Sequence, residues 1–418
     1  MPDDKKSTVK GEAPAKGAKP PWQRQQPEAP ARPEKDPLVV LRKRLGKALV
    51  GFSGDVGAKP PYEQLTRSTK PSRKDFPVPD LVKFALRTVL GFPGSGFGEK
   101  VRWTILAMFD GDFISIELRK FGFTICAGQN TDLDRLCGQL RVAVKLTEQF
   151  LEPLAQEQVA ANNVTIANRN SEFDRRYRFF RKSAHAAYRG RNRKPRQKTK
   201  PSDVDGAFAS ITDSWNRVAR ANTRGFYHSV SMVDAYFSRL EHQLLLLRAL
   251  QGKPMVDGEL KQFVGDLWDE KLRKLIDVTE PKAQKIYSAL KSLKERVRNP
   301  FSHGGMENDG GSLFVHVPSV GALPATFTGI KNSVRFNFYP MEKEDHGETC
   351  SLFDAVDGLL QTGPLAAAYE LMDAGIDPSF DRASIARFGQ VAASTLQERA
   401  AFIDRWHYEQ DRHDNMDY

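Results

Sequence analysis

The stretch GFYHSVSMVDAYFSRLEHQLLLLRALQG, residues 225–252, decides the fold class. Its apolar residues Phe226, Val230, Val233, Phe237, Leu240, Leu244 and Leu247 recur at alternating steps of four and three, which lines them along one face of an α-helix. Gly252 and Pro254 end the pattern. A second stretch, EPKAQKIYSALKSLKERV at 280–297, puts Ala283, Ile286, Leu290, Leu293 and Val297 on one face in the same way. One-sided helices need partners to bury their apolar stripes, so a mainly α protein with a helical bundle over residues 206–378 is expected.

Working outward, CSLFDAVDGLLQ and PLAAAYELMDAG continue the helical pattern, and residues 379–418 read as a closing helix. Between them SLFVHVPSV and SVRFNFYP read as two strands, a β-hairpin inserted into the bundle at about 310–345. Upstream, residues 38–160 form a small α+β domain. There PDLVKFALRTVLGF is helical, Asp110-Gly111 turns a hairpin between two β-rich runs, and Leu133, Leu136, Leu140, Val144 and Phe150 mark a helix with Thr131 as its cap. The glycine cluster GFPGSGFGEK at 91–100 is not a phosphate loop, because Lys100 is followed by Val101 and the strand comes after the loop. Residues 1–37, rich in Pro, Ala, Lys, Glu and Gln, lack the apolar surface to fold and read as a basic, Pro-rich disordered tail.

Net charge over the 418 residues is +11, which favours an anionic partner, nucleic acid ahead of anionic lipid. No apolar run spans a membrane and the start shows no secretory signal, so a cytoplasmic protein without a membrane partner is expected. Cys126, Cys137 and Cys350 form no CxxC pair, and His316, His346 and Cys350 fit no zinc spacing, so neither a metal nor a cofactor is expected. Residues 161–205 hold a basic run in which Arg175, Arg176, Arg178, Arg181, Lys182, Arg189, Arg191, Arg193 and Lys194 are interleaved with Tyr177, Phe179, Phe180 and Tyr188. Arginines neutralise phosphates and rings stack on unpaired bases, so this is either an RNA-contacting segment or a solvated linker whose aromatics pack on a neighbouring domain.

The chemistry gathers at SLKERVRNPFSHGG, residues 292–305. Pro300 breaks the helical hydrogen-bond ladder after Arg298, Asn299 is suited to cap a new short turn, and His303 then falls in its first turn near amides that favour an anion. Asp234 and Glu241, seven apart on the long helix, flank its apolar stripe on one edge, where Glu241 is placed to hold Arg298 or His303. A solvated or salt-bridged edge is the preferred reading, and that supporting role is the alternative. His242 beside them reads as a bundle-edge residue.

Arg298, four intervening residues and His303, with polar Asn299 directly after the arginine, resembles the R-x(4–6)-H motif of HEPN (higher eukaryote and prokaryote nucleotide-binding) ribonucleases. The amphipathic helix and bundle around it are similar to that family over about residues 206–375. The resemblance implies a homodimer in which paired motifs form one metal-independent endoribonuclease site, as in toxins and anti-phage defence effectors. His303 would be general acid or base, Arg298 would stabilise the charged phosphorane, and Asn299 would orient one of them. The second such spacing, Arg178 to His185, has Phe179 after the arginine and no amphipathic bundle helix before it. Two other functions remain: a non-catalytic nucleic-acid-binding protein whose helical domain serves dimerisation, and a structural adaptor. In either enzyme or adaptor the N-terminal domain could engage a regulatory protein partner.

Overall fold

The computed structural model describes residues 37–58, 60–190, 204–298, 313–328, 333–336, 341 and 343–415, and it is mainly helical with a small sheet region. The chain divides into two compact units. One takes residues 37–93, 105–115 and 126–147; the larger takes 148–415 together with the strand ends 94–104 and 116–125. The unit boundary falls within one continuous helix, Leu133–Ala160, where the sequence pattern had placed a domain end near residue 160.

The smaller unit opens with α1 (Pro37–Ala48), the short strands β1 (Phe52–Ser53) and β2 (Arg67–Thr69), and α2 (Asp80–Lys83), which widens into a π-helical turn over Phe84–Val89. The strands β3 (Gly94–Ser95), β4 (Val101–Phe109), β5 (Asp112–Arg119) and β6 (Gly122–Ala127) complete a sheet of order β1-β4-β5-β6-β2, with β3 beside β4. Asp110 and Gly111 both take positive φ, 50° and 89°, which matches the right-handed twist of a tight hairpin and explains why Asp-Gly announces it. Burial alternates along β4 at Ile105, Ala107 and Phe109 but is continuous from Phe113 to Glu117 on β5. The alternating strand has one wet face, and the continuous one is covered on both. The helix α3 (Leu133–Ala160) buries Leu133, Leu136, Leu140 and Val144 as its pattern requires. Its first turn is capped by Asp132, whose Oδ1 accepts from the Arg135 amide at 3.0 Å. Thr131 instead donates to Asp112 at 2.8 Å, a correction to the expected cap.

The larger unit is built on a helical hairpin. In the sequence reading residues 170–190 belonged to a basic segment; they form α4 (Asn170–Gly190), packed antiparallel on α5 (Val204–Leu250). Asn170 lies beside Gln243 at one end, and Tyr188 lies against Gly225 at the other. The inward face of α4 carries Phe173, Tyr177, Phe180, Ala184 and Tyr188, a helical spacing that the charge run conceals. The helix α5 buries Phe226, Val233, Phe237, Leu240, Leu244 and Leu247 and ends where Gly252, at φ 71°, approaches Gly389 too closely for any side chain. Shorter helices follow: α6 (Glu259–Gly265), α7 (Trp268–Leu275) and α8 (Pro281–Leu293), the last running into a π-helical turn over Lys294–Arg298. The expected face of α8, from Ala283 to Val297, is buried throughout.

Where two strands were expected near 310–345, three occur: β7 (Leu313–Val317), β8 (Gly321–Thr328) and β9 (Ser333–Arg335), antiparallel in that order. The middle one carries Pro324. This proline faces Phe314 of β7, and the described pairs with β9 run from Thr326 to Thr328. The helices α9 (Lys343–Leu360) and α10 (Ala366–Asp373) close the bundle. The single closing helix expected over 379–418 is in fact two, α11 (Arg382–Ala393) and α12 (Leu396–Asn415). Ser394 leaves helical angles, and Thr395 and Glu398 form a reciprocal cap that starts the second helix. Residues 1–36, read as a tail, lie outside the described residues.

Candidate functional site

Asp234, Phe237 and Glu241 follow one another at three and four residues on α5, so they share one edge of it. The π-helical turn after α8 delivers Arg298 onto that edge. Its Nε lies 3.6 Å from Asp234 Oδ1, its Nη1 lies 3.6 Å from Glu241 Oε1, and its guanidinium carbon stands 5.5 Å from the centre of the Phe237 ring. Arg176 of α4 reaches the other oxygen of the same carboxylate, Asp234 Oδ2, at 3.4 Å. One aspartate therefore holds two guanidinium groups, one on each oxygen. Lys294, a turn before Arg298, lies over Phe237 and Trp268, and its pKa is lowered by burial and then by the Arg298 charge.

These ion pairs are half-exposed and 3.4–3.6 Å long, so each contributes about 0–1 kcal/mol to stability. Their effect is on orientation. Three cations, Arg176, Lys294 and Arg298, face two carboxylates, which leaves the edge suited to an anion. Asn299 and His303 lie outside the described residues, as do Arg191, Arg193 and Lys194.

The described members of the basic run have separate fates. Arg176 joins Asp234, Arg178 pairs with Asp174 on its own helix, and Arg181 clamps Asp354 of α9 with Nη2 at 2.7 Å while donating to the Tyr177 hydroxyl at 3.0 Å. Arg175 donates to the Ser171 carbonyl at 3.2 Å, and Lys182 and Arg189 are exposed. Tyr177 and Tyr188 are buried in the bundle and so are removed from any role in base stacking; Phe179 is exposed.

Beneath this edge the bundle contains a polar core that sequence reasoning did not find. Arg239 is buried between Asp174 at 3.2 Å and Asp357 at 2.9 Å, and the Tyr236 hydroxyl donates to Asp357 at 3.0 Å. Burial opposes the Arg239 charge, but Asp357, Tyr236 and Asp174 together outweigh it and hold the guanidinium protonated. A neighbouring cleft of about 680 Å³ is lined by Arg178, Lys182, His185, His346 and Cys350, among others. There His346 Nδ1 lies 3.0 Å from Ser229 Oγ and its Nε2 3.6 Å from Cys350 Sγ. Burial, with lesser help from His185 and Arg181, lowers His346 to about 4, while burial raises the Cys350 thiol. The pair therefore rests as neutral imidazole and thiol, the wrong state for a thiolate nucleophile. His242 accepts the Arg169 amide at 2.9 Å, which closes the hairpin's end. His316 is exposed on β7, and among the described residues no group of three or more His, Cys, Asp or Glu is placed to hold a metal ion.

Among the described residues no helix is long and apolar enough to cross a membrane. No protein-family model, no curated protein and no solved structure matches the chain.

Proposed function

We propose that the protein is a metal-independent endoribonuclease of HEPN type, acting as a homodimer in the cytoplasm in the manner of a toxin or anti-phage effector. The observation that carries this reading is the placement of Arg298, the first residue of the motif. It sits at the end of a bundle helix, pinned by Asp234 and Glu241 of the longest helix, with Arg176 on the same aspartate. An arginine fixed by two carboxylates loses little further freedom when it meets a phosphate, and its planar fork matches two phosphate oxygens.

In this mechanism RNA lies along the positive edge. The ribose 2′-hydroxyl attacks the adjacent phosphorus, the P–O5′ bond breaks, and a 2′,3′-cyclic phosphate and a 5′-hydroxyl result. His303 takes or returns the proton, Arg298 stabilises the extra negative charge of the phosphorane, and Asn299 orients one of the two. The test is cleavage of labelled RNA with chelator present, with product ends analysed for cyclic phosphate. His303→Ala should lose about 10²- to 10⁴-fold in rate while binding RNA as before. Arg298→Lys should not restore full activity to Arg298→Ala, since a point charge replaces the fork. A folded His303→Ala protein that cuts as fast as the parent would end the assignment.

A further inference from the structure

The two helices of the hairpin carry an uneven charge. Residues 175–190 of α4 and 214–233 of α5 hold nine Lys and Arg and no Asp or Glu. Near the bundle this excess is answered from outside those stretches, by Asp174, Asp234 and Asp354. Arg217, Arg220 and Arg224 stand at steps of three and four on one face of α5 and line a cleft of about 610 Å³, in which Asp213 is the one acidic residue among the described lining residues. Opposite them α4 presents Ala186, Ala187 and Gly190, whose small size keeps the cleft open. Among the described residues, neither Arg220 nor Arg224 enters an ion pair. One turn beyond Arg224, on the same side of the helix, Tyr227 is 62% exposed.

We infer that this cleft is a binding track for single-stranded RNA, in which Arg220 and Arg224, with Arg217, hold consecutive phosphates and Tyr227 stacks on a base. The inference takes from the proposed function that the ligand is RNA, and it adds residues remote in sequence from the cleavage motif. Three arginines over seven residue steps extend about 10 Å along the helix axis, a length that follows a strand rather than a single ion. Guanidinium forks pair with phosphate oxygens two at a time. An exposed ring beside such a row is what unpaired bases use and what an acidic polypeptide does not need.

The test uses the full chain carrying His303→Ala, titrated with a short fluorescent single-stranded RNA between about 50 and 200 mM salt. Arg220→Ala with Arg224→Ala should weaken binding and lower the slope of log K against log salt by about 1.4, since each lost single-strand phosphate contact removes about 0.7. Tyr227→Leu should weaken binding without changing the slope, and Tyr227→Phe should bind like its parent. All three positions are exposed, and unchanged melting temperatures would show that the fold is intact. Unaltered affinity and slope in the double arginine variant would overturn the inference. Polyglutamate binding the parent as tightly as RNA of equal charge would overturn the choice of ligand. Because binding is read apart from cleavage, an active enzyme whose arginine variant keeps the parental salt slope sinks this inference alone. A track confirmed in a protein without nuclease activity sinks the other alone.

Discussion

Replacing Arg239 with alanine would strand Asp357 inside the helical unit and leave Asp174 with Arg178 alone. Its side chain is 4% exposed, with Asp174 at 3.2 Å and Asp357 at 2.9 Å, and the rings of Tyr177 and Tyr236 lie 5.4 and 5.7 Å from its guanidinium carbon. Removing one partner of a buried pair costs about 3–5 kcal/mol, because the other charge stays behind unpaired. Asp174 and Asp357 keep 20% and 17% exposure, so water partly reaches them, and the expected loss is near the low end, about 3 kcal/mol. At roughly 2–4 °C per kcal/mol for a unit of this size, the melting temperature should fall by about 10 °C. Adding Asp357→Asn removes the stranded charge and should return about half of the loss, a coupling that a double-mutant cycle reads directly. Urea unfolding followed by helical circular dichroism is the assay. A loss below about 1 kcal/mol, or a second substitution that deepens the loss, would refute the pairing.

Asp234→Asn should reduce RNA cleavage by about tenfold, ~1.4 kcal/mol of positioning, because it releases both Arg298 and Arg176; Glu241→Gln should cost less, and neither should change stability by more than about 1 kcal/mol. Equal rates for the parent and Asp234→Asn would detach the acidic edge from catalysis. Gly225→Ala would ordinarily favour a helix by about 1 kcal/mol, but its new methyl group would stand 2.4 Å from the Tyr188 ring, so a net loss of about 1–3 kcal/mol is expected, and a raised melting temperature would refute the hairpin packing. His346, lowered from its ordinary 6.5 to about 4 by burial, makes the unfolded state the better proton acceptor between those values. Stability should therefore be complete above pH 6.5 and fall as pH drops, by about 2 kcal/mol at pH 5, and His346→Gln should flatten that decline in pH-dependent unfolding.

The bundle was legible wherever burial alone sets the residue choice. The stripes of α5 and α8 are buried as the steps of three and four require, because a helix in a bundle core has no other way to satisfy both backbone and apolar side chains. The misread segments are those in which a second signal masked the first. Phe173, Tyr177, Phe180, Ala184 and Tyr188 have helical spacing, yet the cations between them drew the reading towards a linker. The strand β8, which carries Pro324, was not read at all, and the Thr395 to Glu398 cap, four residues of ordinary composition, was overlooked within an apparently continuous helix.

The candidate site shows a different limit. Asp234 and Glu241 were legible as one edge because both belong to α5, and a single helix fixes the direction of its own side chains. That Glu241 meets Arg298 could be read as one of two options, Arg298 or His303. That Arg176 shares Asp234 with Arg298 could not, since 58 residues separate the two partners and only the antiparallel hairpin brings them together. The same folding step separates the basic run into three kinds of cation that composition treats as equal. Arg178 and Arg181 are tied to carboxylates of the bundle, Arg176 is drawn into the edge beside Arg298, and Lys182 and Arg189 are left towards solvent. Charge density along a sequence therefore measures how many cations are available, whereas the carboxylates on the opposing helices determine which of them can still meet a phosphate. A mutational test of the proposed RNA contact should accordingly begin from the cations whose helices bring no acid with them.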